Sequence, residues 1–127
     1  MACRITELVL DCADPELLAE FWCGVLGYEV LDRDQGTVEI GLPGVYPTLL
    51  FQPVPEPKVQ KLRLHIDVSP TDRDQDAELE RLSALGAKPV DIGQGEVSWH
   101  LLRDPEGNEF CLLRGMVADS RTAGSGS

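Results

Sequence analysis

The chain has 127 residues, 43% of them hydrophobic, 6% aromatic and 26% charged, material for one domain that buries its core without a metal or disulfide staple. Its 22 acidic residues against 11 basic ones leave a net charge of −11, which excludes the cationic face that nucleic acid or an anionic membrane requires. No apolar run approaches the roughly 20 residues of a spanning helix, and no signal-peptide layout opens the chain, so a cytoplasmic protein is expected.

Residues 4–11 carry the apolar pattern of a strand. Asp14-Pro15-Glu16 then supplies an N-cap, a proline at the first helical position and an acidic first turn. Leu17, Leu18, Phe21, Trp22 and Val25 recur at helical spacing, and Gly27 stops the helix. Strands are expected over 28–32, 37–42 and 48–53, parted by turns at Asp34-Gln35-Gly36 and Pro43-Gly44. The connector Pro53-Val54-Pro55-Glu56-Pro57 reads as a stiff extended link. A strand over 61–68 follows, then Ser69-Pro70-Thr71-Asp72 and a helix carrying Ala77, Leu79, Leu82 and Leu85 up to Gly86. Strands near 88–92, 97–103 and 109–113 complete the set, with a tight turn at Asp104-Pro105-Glu106-Gly107-Asn108. Residues 116–127 are expected to form a flexible tail.

The element order is βαβββ, twice. Leu26-Gly27 matches Leu85-Gly86 at an offset of 59, Phe51 matches Phe110 at 59, and Glu7 matches His65 at 58. Three segments in one order at one period indicate a duplicated unit, with one module over about 4–54 and the other over about 61–114 of a domain spanning 1–115.

Strand side chains alternate between faces. Leu8, Leu10, Ile66 and Val68 are expected to pack on the helices with Phe51 and Phe110. Glu7, Gln52, His65 and Cys111 are then expected on the opposite, concave face, with Glu109 beside Cys111. Trp99 and His100 are adjacent, so one of them faces the hollow and the other the helix layer; either offers a contact to a flat ligand, while Trp99 also reads as a core residue. Cys3, Cys12, Cys23 and Cys111 show no zinc-ligand spacing and read as free thiols.

The segments Glu7-Leu8-Val9-Leu10-Asp11, Ala19-Glu20-Phe21-Trp22 with Leu26-Gly27-Tyr28, Leu64-His65-Ile66-Asp67-Val68 and Asp104-Pro105-Glu106-Gly107-Asn108-Glu109-Phe110 resemble the vicinal-oxygen-chelate superfamily. Its members include glyoxalases, extradiol dioxygenases, fosfomycin-resistance enzymes and bleomycin-binding proteins, and the match is to its glyoxalase-like branch. The resemblance implies an α+β fold of two βαβββ modules, a cupped, incomplete mixed β-barrel with helices outside, in a homodimer. It also implies four metal-ligand positions, which fall on Glu7, Gln52, His65 and Cys111. The pattern there is His or Gln, Glu, His and Glu, and only His65 matches. A metal-free protein is therefore expected, binding a small organic ligand through Glu7, Gln52, His65, Trp99, Glu109 and Cys111. It would sequester that ligand or act on it by acid/base chemistry of His65 and Glu7. The alternative is a lyase, isomerase or dioxygenase using a divalent ion (Zn, Ni, Fe, Mn or Mg) held by Glu7, Gln52 and His65. Catalysis and plain binding both stay open.

Overall fold

A computed structural model of the chain describes residues 2–90 and 99–119. The chain divides into two compact units, Met1–Pro57 and Lys58–Asp119, and each contains the element order βαβββ.

The first unit comprises β1 (Glu7–Cys12), α1 (Pro15–Leu26), β2 (Glu29–Asp34), β3 (Thr37–Leu42) and β4 (Val45–Pro53). Its sheet runs β1-β4-β3-β2, with β1 parallel to β4 and the other pairs antiparallel. The side chain of Asp14 accepts from the Leu17 amide at 3.2 Å, Pro15 opens the helix, and Gly27 closes it at φ 70° with its amide on the Cys23 carbonyl. The left-handed φ is the reason a glycine stands there. Leu18, Phe21 and Trp22 of α1 are buried, as are Val38, Ile40, Leu49 and Phe51 of the β3 and β4 strands against which it packs. Full burial of each of the large side chains contributes about 1.5–3 kcal/mol.

Register decides what the other face carries. Phe51 lies opposite Leu10 and Val38, and Leu49 opposite Leu8 and Ile40, so the helix-facing set is apolar throughout. Glu7, Val9 and Asp11 therefore share the open face with Thr48, Leu50, Gln52, Thr37 and Glu39. A bulge in β2 changes the expected alternation: Val30 is opposite Ile40, but Asp32 is opposite Glu39. One inserted residue thus turns Asp32 and Asp34 onto the open face. It also leaves Arg33 opposite Val38, where its guanidinium forks onto Glu16 of α1 at 2.9 and 3.1 Å.

Gly41 of β3 sits at a close approach to its neighbours. A Cβ there would meet Thr48 Cγ2 at 2.8 Å and Leu31 Cδ1 at 3.0 Å. Gly41→Ala is therefore expected to destabilise the protein by about 1–3 kcal/mol through overpacking. Urea unfolding checks this, with a lowered midpoint and an unchanged m-value.

The second unit comprises β5 (Ile66–Val68), α2 (Gln75–Leu85), β6 (Lys88–Pro89), β7 (His100–Arg103) and β8 (Glu109–Leu112), with sheet order β5-β8-β7-β6 and β5 parallel to β8. Asp74 caps α2 by accepting from the Ala77 amide at 2.8 Å, and Gly86 ends it. Leu82, Leu102, Phe110 and Leu112 are fully buried.

Three expectations need correction or fall outside the description. The strand expected over 61–68 begins only at Ile66, because the Leu62 amide and carbonyl are taken by side chains and leave the ladder. The strands expected near 88–92 and 97–103 are described as Lys88–Pro89 and His100–Arg103, with residues 91–98 outside the described residues. The flexible tail expected from 116 is still tied down at Val117, whose amide donates to the Pro70 carbonyl at 2.9 Å; residues 120–127 are not described.

The ladders also revise the internal repeat. Leu10 pairs with Phe51, and Ile66 pairs with Phe110. The Val54 amide reaches the Cys12 carbonyl just as the Leu113 amide reaches that of Val68. The first strands therefore correspond at an offset of 56, while the last strands correspond at 59. A longer β5–α2 loop, which includes Ser69-Pro70-Thr71, restores the offset before the helices. By this register Val9, not Glu7, is the counterpart of His65. Gln52 and Cys111 remain counterparts, opposite Asp11 and Asp67 respectively. Among the described residues no helix is long and apolar enough to cross a membrane.

Candidate functional site

Glu7 opens β1 at the rim of a cavity of about 400 Å³ on the open face of the first unit. Asp32, Asp34, Gln35, Thr37, Glu39 and Leu50 complete its lining. Glu39 accepts a hydrogen bond from the Thr48 hydroxyl at 2.8 Å, which fixes one carboxylate over the centre of the sheet. Val9 and Leu50 face each other across β1 and β4 and put an apolar strip among these acids. Gln52 lies exposed on the same face, opposite Asp11. A larger hollow of about 590 Å³ lies between α1 and β2, where Arg33 and Glu16 already satisfy one another.

The sequence pointed to Glu7 but not to Asp32, Asp34, Thr37 or Glu39. A signal existed for Glu39, a carboxylate between the apolar residues Val38 and Ile40 and hence aimed at the opposite face from them. None existed for Asp32 and Asp34, whose direction depends on the bulge.

In the second unit Glu109 and Cys111 share the open face of β8, with Leu101 and Arg103 of β7 in register opposite them. Glu109 is the better engaged: Oε2 accepts from Lys58 Nζ at 2.9 Å and Oε1 from the Leu62 amide at 3.1 Å. Burial alone would raise its pKa, but the Leu62 amide and the Lys58 ammonium outweigh burial and hold the carboxyl below its ordinary value. A group whose folded pKa is lowered stabilises the fold above its unfolded pKa, about 4.3 for glutamate, and loses that contribution as pH falls through the lower folded value. Glu109→Gln is thus expected to flatten the acid limb of stability below about pH 4.5, a difference that urea titrations at stepped pH resolve.

Cys111 is half-buried and faces Asp67 across the β5–β8 ladder. Burial, the Asp67 charge and a hydrogen bond to Asp67 push the thiol up, while Lys61 acts weakly in the other direction. The group stays a thiol at neutral pH and is not a thiolate nucleophile. His65 lies exposed just before β5, its Nε2 2.7 Å from Lys61 Nζ and 2.9 Å from the Leu62 carbonyl. Trp99 is 40% exposed and precedes β7, while His100 lies opposite Leu112 on the buried side of the sheet. Glu7 and Gln52 thus belong to the first unit, and His65, Trp99, Glu109 and Cys111 to the second.

A family model described as "Glyoxalase-like domain" matches residues 7–113. The chain belongs to this glyoxalase-like family. Solved structures share its fold. Fosfomycin resistance protein FosX from Mesorhizobium loti is 19% identical at TM-score 0.69, over 92% of this chain and 96% of that one. FosX from Listeria monocytogenes, solved with Mn(II) and sulfate, is 18% identical at TM-score 0.69, over 92% and 94%. A glyoxalase/bleomycin resistance protein/dioxygenase family enzyme from Burkholderia phytofirmans is 19% identical at TM-score 0.63, over 84% and 94%. No curated protein matches the chain.

The Listeria monocytogenes neighbour shows that a protein of this fold can hold Mn(II). Among the described residues no three His, Cys, Asp or Glu side chains are grouped to hold a metal. Both tautomers of His65 find a local partner for Nε2.

Proposed function

We propose that this glyoxalase-like protein binds a small organic ligand through the open faces of its sheets without a resident metal, either sequestering it or acting on it by acid/base chemistry. The observation that carries this reading is the open-face cavity of the first unit, where Glu7 and Glu39 flank the apolar Leu50. Its four carboxyl groups, with Gln35 and Thr37 around one leucine, suit a ligand that presents several hydrogen-bond donors and a small apolar edge. Gln52 supplies a neutral amide on the same face. His65, Trp99, Glu109 and Cys111 are the proposed contacts of the second unit, with His65 as proton acceptor; Glu7 is the proposed acidic group of the first unit. The protein is proposed to work as a homodimer in the cytoplasm.

Metal analysis of the purified protein, beside a thermal-shift screen of small organic compounds, tests the reading. The expected outcome is substoichiometric metal together with at least one compound whose stabilisation is lost in Glu7→Gln or His65→Ala. Stoichiometric Mn, Fe, Ni or Zn that disappears in His65→Ala would overturn it. The Mn(II)-bound relative of the same fold makes that the appropriate competing outcome.

A further inference from the structure

The segment leading into β5 does something that neither the ladder nor the candidate contacts require. Between Lys58 and His65 the chain leaves the sheet and is fastened to the open face of β8 by one side chain. Both oxygens of Glu109 are used, one on the Lys58 ammonium at 2.9 Å and one on the Leu62 amide at 3.1 Å. The Glu109 side chain is only 12% exposed, so these are charge-assisted bonds partly shielded from water. From the clamped Leu62 the chain turns back on itself. The Leu62 carbonyl meets His65 Nε2 at 2.9 Å, and Lys61 Nζ lies 2.7 Å from the same nitrogen. With the proton on Nε2, His65 donates to Leu62; with the proton on Nδ1, Nε2 accepts from Lys61. Either way the nitrogen is occupied. Val59 and Leu64 stand 81% and 69% exposed on this segment, so apolar packing does not anchor it at those positions.

We propose that residues 58–65 form a latched strap over the open face of the second unit, with Glu109 as the latch, and that the latched strap withholds His65 Nε2 from any ligand. Glu109 is then a positioning residue acting through Leu62, and the strap must release before His65 meets a ligand. The latch stands on its own geometry; that its opening admits a ligand rests on the binding role proposed above.

Two readouts on the full chain test the latch without knowledge of the ligand. The first is amide hydrogen exchange at Leu62, with the Leu113 amide as reference because it bonds the Val68 carbonyl at 2.8 Å within the β5–β8 ladder. The second is the rate at which diethyl pyrocarbonate carbethoxylates His65 at Nε2, told apart from Nδ1 by NMR, with the half-buried His100 as internal reference. Lys58→Met cuts one arm, and Glu109→Gln weakens both. Glu109→Gln is expected to raise exchange at Leu62 at least tenfold and the His65 modification rate several-fold, Lys58→Met to raise both by less, and Leu113 and His100 to stay unchanged. An unprotected Leu62 amide in the wild type, or a rise at Leu113 and His100 equal to that at Leu62 and His65, would overturn the latch. A latch confirmed in a protein whose screen yields no ligand would instead count against the proposed function alone.

Discussion

Asp104→Ala is expected to cost about 3 kcal/mol, because a single buried carboxylate organises the turn that launches β8. Asp104 and Asn108 are 3% and 5% exposed. Asp104 Oδ1 accepts from the amides of Glu106 and Asn108 at 2.9 Å each and from Asn108 Nδ2 at 3.1 Å, while Oδ2 accepts from the same Nδ2 at 2.9 Å. Backbone bonds close the loop, from Asp104 N to Asn108 O and from Gly107 N to Asp104 O, both at 2.9 Å. Alanine would leave the Asn108 amide and side chain without this acceptor in a site that excludes water, and that desolvation penalty is the larger part of the loss. Asp104→Asn keeps a carbonyl oxygen but turns a donor toward donors, so it is expected to recover less than half. Urea unfolding of the three proteins at pH 7 checks the order. A loss below about 1 kcal/mol for alanine would show that water replaces the carboxylate.

Much of this architecture was legible because each element carries its own local signal. Asp14, Pro15 and Gly27 delimit α1 where the caps form, and the run from Thr37 to Leu42 reads correctly as β3 because polar and apolar residues alternate there without interruption. The D-P-x-G-N turn was legible for the same reason: the bonds that define it lie within five residues. What the sequence hid depends on partners far along the chain. The bulge that turns Asp32 and Asp34 onto the open face is a property of pairing with β3, not of β2. The loss of strand structure over 61–65 follows from Glu109, 47 residues beyond Leu62, capturing that amide. The offset of 56 between the first strands was hidden by the longer β5–α2 loop, and it alone decides that Val9 rather than Glu7 corresponds to His65. Face assignments by parity survived for Phe51, Gln52, Phe110 and Cys111 because those strands run regularly into their ladders.

Phe110→Ala is expected to destabilise the protein by about 3–5 kcal/mol and to loosen the open face at the same time. Phe110 is fully buried, between Ile66 and Leu102 in register on its two sides. Removing the ring takes away its transfer free energy and leaves a cavity beside Leu102 and Ile66, which are held by ladder bonds and so collapse only in part. Phe110→Leu retains most of the volume and is expected to cost less than about half as much. The consequence for the site follows from alternation, since Phe110 is the residue between Glu109 and Cys111 and its burial on one face is what directs those two side chains to the other. In Phe110→Ala the Cys111 thiol is therefore expected to react with iodoacetamide several-fold faster than in the wild type, at a urea concentration well below the unfolding midpoint. Phe51→Ala is expected to match it in stability cost while leaving the Cys111 rate unchanged, because Phe51 performs the same task for Leu50 and Gln52 in the other module. Equal acceleration of Cys111 by both variants would mean that the rate reports general loosening and not the face that Phe110 sets.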